Sequence, residues 1–241
     1  AKIVISATTG MHDYAVKKYG INIKTFFVKP ACVDLNKFNI SKRKNPILIR
    51  ELQLENKIVC VYAGKFGGIY LTNEVFDFFS EAEKIWGDRF RVLLLTPHNR
   101  EDLHDWAIRS NFSPEKMIIR FVPHEKIQDF LGVGDLGITP VKPIPTKRYC
   151  TPIKDGEYWA LGLPVVITKE ISDDSDIISK YNAGAVLNDL SKESYKIAIG
   201  QIIKLLDEPK EVLSQRIENI AKQFRNFSIA ENIYSSIYKT N

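Results

Sequence analysis

The residues best suited to chemistry stand between Thr151 and Glu157. Pro152 suits the first position of a helix and Thr151 before it is a good N-cap, so we predict a helix that begins here. Lys154 then falls in the first turn, where the helix dipole disfavours a cation. Backbone N–H groups at a helix start and a lysine together form a site for phosphate. Glu157, one turn on, is placed to accept hydrogen bonds from sugar hydroxyls. The alternative is a surface Lys154–Glu157 pair, which would stabilise the helix by about 0.3 kcal/mol at most.

A glycine-rich loop is the second candidate for anion binding. Gly64, Gly67 and Gly68 allow the backbone to approach a ligand and expose its N–H groups, and Lys65 adds a positive charge. The spacing is not GxGxxG, so a dinucleotide-binding fold has no support here. A simple strand-to-helix turn is the alternative interpretation.

The elements that position these loops follow a regular pattern from residue 57 onward. Short apolar runs alternate with segments of helical periodicity, which predicts an α/β fold with a Rossmann-like, doubly wound parallel sheet. In such a sheet, ligands bind outside the carboxyl ends of the strands. We predict strands at 58–62, 91–95, 117–121, 136–139, 165–168 and 185–187. We predict helices at 73–86, 100–110, 124–131, 152–161, 172–180, 192–206, 209–224 and 229–239.

The first part of the chain has a different pattern. Residues 2–7 and 25–28 are predicted strands, with a helix at 12–19 between them. A single βα unit cannot bury both of its faces, so this is either a sheet edge or the remnant of another domain. Residues 36–56 are polar and basic and include Pro46, which is the composition of a linker.

Composition excludes several classes of function. The 241 residues are 44% hydrophobic and 26% charged, as in ordinary globular proteins. The net charge of +5 suits an anionic small ligand or an anionic membrane surface, but no dense stripe of Lys and Arg indicates nucleic-acid binding. The 3 cysteines lack CxxC spacing, so we expect no structural metal and a reduced, cytoplasmic protein. There is no apolar run of about 18 residues and no signal peptide. The absence of an initiating Met suggests a piece of a longer protein.

Several segments resemble the motifs of one enzyme family. TPIKDGEYWALGLPVV at 151–166 resembles the "SPxKxxEYxAxGxPVV" motif of GT-B glycosyltransferases. It is most similar to the retaining group 1 (family 4) type, which transfers sugars from nucleoside-diphosphate donors. VKPACVDLNKF at 28–38 resembles the interdomain connector "VIPNGVDxxxF", and VYAGKFG at 61–67 resembles the "YAGxxG" loop. FVPHEKI at 121–127 and GDLGITP at 134–140 are similar to "xFxGxVPxEEL" and "ADxxxxP". The matches follow the family's order.

The resemblance implies a site for a nucleotide-sugar donor, which is the substrate, with no cofactor and no metal. In the family, the glutamate matching Glu157 holds the nucleotide ribose. Lys65 and Lys154 stabilise the charge that develops on the leaving diphosphate. The loop at 121–124 meets the base, although His124 has an alternative role beside a helix N-cap. The implied donor-binding residues are Gly64, Gly67, Gly68, Val122, Pro123, His124, Thr151, Pro152, Ile153 and Glu157.

The sequence departs from the family pattern in three motifs. Many relatives carry Glu-x7-Glu, and Tyr149 stands in place of its first acid. Ile69 and Tyr70 stand where many relatives carry a second cation after the glycine loop. Ala31 and Cys32 replace the Asn-Gly of the connector.

The resemblance also divides the chain. Residues 1–24 are expected to be the remnant of an N-terminal acceptor-side domain, 25–56 the connector, 57–227 the donor-binding domain and 228–241 a helix that crosses back. The expected partners are the donor and, through the N-terminal domain, an acceptor glycan or lipid-linked glycan. The expected role is polysaccharide or glycoconjugate synthesis in the cytoplasm, with room for peripheral attachment at the inner membrane face. We expect the chain alone to be inactive. The alternatives are a GT-B nucleotide-sugar epimerase and a degenerate nucleotide-binding or scaffold module.

Overall fold

The N-terminal residues form a small βαβ unit. The computed structural model describes residues 2–20 and 25–238 of the protein. Strand β1 (Val4–Ser6) pairs in parallel with β2 (Phe26–Val28) as a sheet of two strands, with helix α1 (Thr9–Tyr19) between them. The helix ends at Gly20, whose φ of 62° suits glycine. Parts of the predicted segment 1–24, namely residue 1 and residues 21–24, lie outside the described residues.

The region 36–56 is more ordered than a linker. It contains helix α2 (Pro46–Glu51), which begins where the Asn45 side chain accepts hydrogen bonds from the amides of Ile47 and Leu48. Leu52 and Leu54, which follow the helix, are buried in the core. Residues 36–56 therefore contain ordered structure that their linker-like composition did not indicate, and their role as an interdomain connector stays a prediction. The signal was present, because Asn before Pro is a good helix start.

A parallel sheet of six strands carries the rest of the fold, as predicted. Its strand order is β5-β4-β3-β6-β7-β8. The order reverses between β3 and β6, which is the place where doubly wound sheets bind their ligands. The strands are β3 (Ile58–Ala63), β4 (Phe90–Leu95), β5 (Met117–Arg120), β6 (Leu136–Thr139), β7 (Val165–Thr168) and β8 (Gly184–Leu187).

Helices flank this sheet at the predicted places, with small differences at their ends. Residues 124–126 form a separate 3-10 turn, so the predicted helix at 124–131 is shorter than expected. The end of the predicted final helix at residue 239 lies outside the described residues. The helices are α3 (Asn73–Trp86), α4 (Arg100–Arg109), α5 (Ile127–Leu131), α6 (Ile153–Ala160), α7 (Asp174–Tyr181), α8 (Lys192–Leu206), α9 (Lys210–Phe224) and α10 (Ser228–Ile237).

One close contact seats α6 on the sheet. Gly137 lies in the middle of β6, and a Cβ atom built there would lie only 2.6 Å from Cδ2 of Tyr158. The Tyr158 ring, which is fully buried, therefore occupies the space that a side chain at residue 137 would need. A larger residue at 137 would push α6 away from the sheet.

A buried arginine ties four parts of the chain together behind α6. Arg225, at the end of α9, donates two hydrogen bonds of 2.5 Å to the carboxylate of Asp174, and both residues are 1% exposed. Its other terminal nitrogen donates to the carbonyl oxygen of Ala31 and to the hydroxyl of Thr151. The connector also donates from the Val33 amide to the Arg225 carbonyl oxygen. The start of α6 is thus fixed to the connector, α7 and α9.

Candidate functional site

The start of α6 faces the reversal point of the sheet. The helix begins at Ile153, and Pro152 occupies the N-cap position. No side chain among the described residues caps its first turn. The predicted N-cap, Thr151, has another role, because its hydroxyl accepts hydrogen bonds from the Ala31 amide and from Arg225. The prediction of a Thr151 cap was therefore wrong, and the first-turn amides of α6 remain available to an anion.

Lys154 packs directly against the glycine loop. A Cβ atom built on Gly64 would lie 2.9 Å from Cε and 3.2 Å from Nζ of Lys154. The φ of Gly64 is +147°, a backbone angle that residues other than glycine rarely adopt. Glycine at this position thus lets the lysine side chain cross the loop and holds its ammonium group beside the backbone. The loop and the lysine predicted from separate motifs form one structural unit.

Two tyrosines surround the same ammonium group. The Nζ atom of Lys154 lies 4.7 Å from the ring centroid of Tyr70 and 5.8 Å from that of Tyr62. It also lies 3.3 Å from the hydroxyl oxygen of Tyr70. The hydroxyl of Tyr62 donates to the Lys65 carbonyl oxygen at 2.7 Å, which fixes the loop. The aromatic faces stabilise the positive charge without neutralising it.

Glu157 lies one helical turn beyond Lys154 in a largely buried position. Burial raises the pKa of its carboxyl group from 4.5 to about 7, and the positive charges of Lys154 and Lys37 lower it in part. With a pKa near 7, the Glu157 carboxyl group can ionise near neutral pH at a modest cost in free energy. Its carboxylate form can then accept a hydrogen bond from a hydroxyl group. Lys37 comes from the connector, and its Nζ atom lies 3.0 Å from the His124 carbonyl oxygen.

A cavity of about 320 Å³ opens beside these groups, along the carboxyl ends of β3, β4 and β5. Its volume suits a nucleotide-sized ligand. The predicted site residues that line it are Gly64, Val122, His124, Ile153, Lys154 and Glu157. Other predicted residues lie outside its lining: Lys65, Gly67, Gly68, Pro123, Thr151 and Pro152. Lys65 is solvent-exposed in the loop.

Two lining residues carry no sequence signal of their own. Thr96 and Pro97 follow β4, and they enter the cavity only because that strand is adjacent to β3. Phe121 follows β5 and is 81% exposed at the cavity edge, although it belongs to the loop expected to meet the base. His98 acts behind the loop, where its Nε2 atom accepts a hydrogen bond of 2.9 Å from the Phe66 amide. These positions depend on which strands are neighbours, which local patterns do not reveal.

Solved structures of glycosyltransferases superpose on the chain. WaaG, a glycosyltransferase involved in lipopolysaccharide biosynthesis, aligns with 98% of the chain at a TM-score of 0.72 and 13% identity. Anabaena Alr3699/HepE in complex with UDP aligns with 100% of the chain at 0.73 and 16% identity. A glycosyltransferase from Rickettsia africae ESF-5 aligns with 100% of it at 0.70 and 16% identity. The chain has the GT-B glycosyltransferase fold.

The likeness is one of fold and covers only part of each solved structure. The chain spans 62% of the length of WaaG and 64% of HepE and of the Rickettsia protein. No protein-family model matches the sequence, and the comparison with curated proteins finds no significant match. The resemblance to GT-B enzymes seen in the motifs is confirmed by the fold.

Within this GT-B fold, Tyr149 faces the βαβ unit. The centroid of its ring lies 5.3 Å from the centroid of the Tyr14 ring on α1. The adjacent Arg148 packs against Gly10 of the same helix. Tyr149 is not part of the lining of the smaller cavity and contacts α1 instead.

A larger cavity of about 590 Å³ lies elsewhere, between the βαβ unit and α7. It is lined by Asp173, Asp174 and Asp176, and Arg225 in its wall is already paired with Asp174. Its lining carries three carboxylates and two cations, Lys180 and Arg225, whereas the smaller cavity carries Lys154 and one carboxylate, so the smaller cavity is the better candidate for an anionic ligand.

Two further properties concern the described part of the chain. None of its helices combines the length and the apolar character needed to cross a membrane. No group of three or more His, Cys, Asp or Glu residues among residues 2–20 and 25–238 is arranged to hold a metal ion.

Proposed function

We propose that the chain is the donor-binding part of a glycosyltransferase that transfers a sugar from a nucleoside-diphosphate sugar. One observation carries the proposal. Lys154, in the first turn of α6, is held against Gly64 at the reversal point of the sheet, with Glu157 one turn further on. This arrangement combines a fixed cation, free helix amides and a buried acceptor.

Each group has a distinct part in the proposed chemistry. The ammonium group of Lys154 and the first-turn amides of α6 bind the diphosphate and stabilise the negative charge that develops on it as the sugar departs. Glu157 accepts hydrogen bonds from ribose hydroxyls. Phe121, exposed at the cavity edge, offers an aromatic face to the base. Lys65 remains a proposed second cation for the diphosphate.

The wider role is proposed from the same resemblance. The acceptor is a glycan or lipid-linked glycan, and the product belongs to polysaccharide or glycoconjugate synthesis. Two structural neighbours support UDP as the first nucleotide to test, because HepE and a pneumococcal O-GlcNAc transferase were solved with UDP.

Isothermal titration calorimetry with UDP, GDP and ADP tests the proposal. We expect one of them to bind, and Lys154→Ala to weaken its binding by about tenfold or more, because a charge-assisted contact is lost. Lys204→Ala is the matched control, since Lys204 is exposed on α8 away from the cavity. If none of the three nucleotides binds, the chain is a scaffold and the proposed function is wrong.

The epimerase alternative is less consistent with the cavity. An epimerase needs acid and base carboxylates around the sugar, whereas Glu157 is the only carboxylate residue in the described lining. Epimerised sugar formed from a nucleotide-sugar without any acceptor would favour this alternative.

A further inference from the structure

Tyr70 is fixed at the reversal point of the sheet by the backbone on both sides of it. Tyr70 forms an antiparallel bridge with Val141, which follows β6. The Leu71 amide donates to the Pro140 carbonyl oxygen at 2.7 Å, and the Lys142 amide donates to the Ile69 carbonyl oxygen at 3.0 Å. The loops that follow β3 and β6 are thus joined, and the Tyr70 side chain starts from a defined position.

The phenol of Tyr70 has a free proton to donate. The ammonium group of Lys154 is a donor only, so the contact of 3.3 Å uses the phenol oxygen as acceptor. No described residue accepts a hydrogen bond from the Tyr70 hydroxyl. The side chain is half-buried beside the phosphate-binding lysine, so an anion bound to Lys154 meets the phenol O–H as well.

The position of Tyr70 along the sheet edge indicates which end of a bound nucleotide it would contact. Phe121 follows β5 and Gly64 follows β3, whereas Tyr70 is joined to the loop after β6. Because the strand order is β5-β4-β3-β6, Tyr70 lies toward β6, on the other side of Gly64 and Lys154 from Phe121. A nucleotide with its base near Phe121 and its diphosphate at Lys154 therefore extends its distal phosphate toward Tyr70.

We propose that Tyr70 binds the distal phosphate of the donor diphosphate, its hydroxyl donating to an oxygen that Lys154 also contacts. The inference rests on the proposed function. Tyr70 would then distinguish a diphosphate from a monophosphate by a hydrogen bond and not by added charge.

The variant Tyr70→Phe tests this role, because it keeps the ring over Lys154 and removes only the O–H. Calorimetric titrations compare UDP with UMP, GDP with GMP and ADP with AMP. We expect the Kd of the diphosphate that binds best to rise about tenfold in the variant. The Kd of the corresponding monophosphate should change by less than about twofold. Tyr234→Phe, on the exposed face of α10, is the matched control and should change neither value.

Each outcome has a separate meaning. If Tyr70→Phe leaves both dissociation constants unchanged, or raises both by the same factor, the inference is wrong while the proposed function stands. If the unaltered chain binds no diphosphate, both are wrong. Urea unfolding of Tyr70→Phe shows whether the variant is folded, and Tyr70→Arg provides a second variant. A cation at the same place should lower the diphosphate Kd selectively, and equal effects on diphosphate and monophosphate would again contradict the inference.

Discussion

The carboxyl group of Glu157 changes its charge near neutral pH, and this affects stability. Burial raises its pKa to about 7, so the folded chain holds this proton at pH values where the unfolded chain has released it. For an acid with a raised pKa, the folded state loses stability as the pH rises from about 4.5 to about 7. Above that range the cost of the buried charge is fully present.

We therefore expect Glu157→Gln to stabilise the chain in a pH-dependent way. The gain in the free energy of unfolding should be about 2 kcal/mol larger at pH 8 than at pH 5, because glutamine has no charge to bury. Urea unfolding of both proteins at the two pH values measures this difference. An equal effect at both values would show that Glu157 is not a buried titrating group.

Gly64 offers a second prediction at the residue scale. We expect Gly64→Ala to lower the free energy of unfolding by about 1 to 3 kcal/mol, because of its φ and its contact with Lys154, and also to weaken diphosphate binding. Gly200→Ala is the control, since a side chain at Gly200 in α8 meets open space. That change should stabilise the helix by about 0.5 to 1 kcal/mol. Urea unfolding and calorimetry measure both variants, and equal effects on stability would contradict the strained geometry of Gly64.

At the scale of elements, α6 depends on groups that lie behind it. Burial raises the pKa of Asp155, and the adjacent carboxylate of Asp174 raises it further, so this part of the core tolerates only a limited amount of charge. Arg225 supplies the compensating positive charge. Removing it leaves a buried carboxylate without a partner, which is among the most costly changes in a protein core.

We expect Arg225→Met to lower the free energy of unfolding by about 3 to 5 kcal/mol. Lys42→Met removes a half-exposed ion pair with Asp129 and should cost less than about 1 kcal/mol. Urea unfolding distinguishes the two effects. Adding Asp174→Leu to Arg225→Met should restore part of the loss, and a loss of less than about 1 kcal/mol for Arg225→Met alone would contradict this account.

The partners of Thr151 show where prediction from local sequence ends. Thr151 followed by Pro152 is a correct sign that a helix starts nearby, and α6 begins within two residues of it. Its hydroxyl oxygen accepts hydrogen bonds from Ala31 and Arg225, which are distant in sequence. Patterns of neighbouring residues predict helices and strands. The hydrogen-bond partners of the Thr151 hydroxyl depend on packing between distant segments, which only the folded chain provides.

At the scale of the whole molecule, strand alternation was sufficient to predict the parallel sheet. The loop at Gly64 and the helix carrying Lys154 were also predictable as candidate sites, because glycines and helix starts have local signals. That Tyr70 and Phe121 lie on opposite sides of Gly64 along one sheet edge was not predictable, since it follows from strand order. The extents predicted for the domains, including the crossing of residues 228–241, stay predictions.

The βαβ unit is attached to the rest of the molecule by few contacts. None of the described residues from 2 to 28 belongs to the main hydrophobic core, and two links of the unit are exposed hydrogen bonds from Thr9 to Asp173. We expect a chain that begins at residue 29 to unfold cooperatively, with a loss of about 1 to 2 kcal/mol, and to keep its nucleotide affinity. Circular dichroism, tryptophan fluorescence and calorimetry test this. Loss of the cooperative transition would show that the unit is part of the core.

The contact between Gly137 and Tyr158 bears on the entropy of binding. A helix seated so closely on a strand resists rolling about its axis and sliding along the sheet, so we expect the turn that holds Lys154 to keep its shape whether or not an anion is present. The cost of ordering that turn is then met during folding. The proposed donor would then find its binding groups already in place, and its affinity would reflect the contacts themselves.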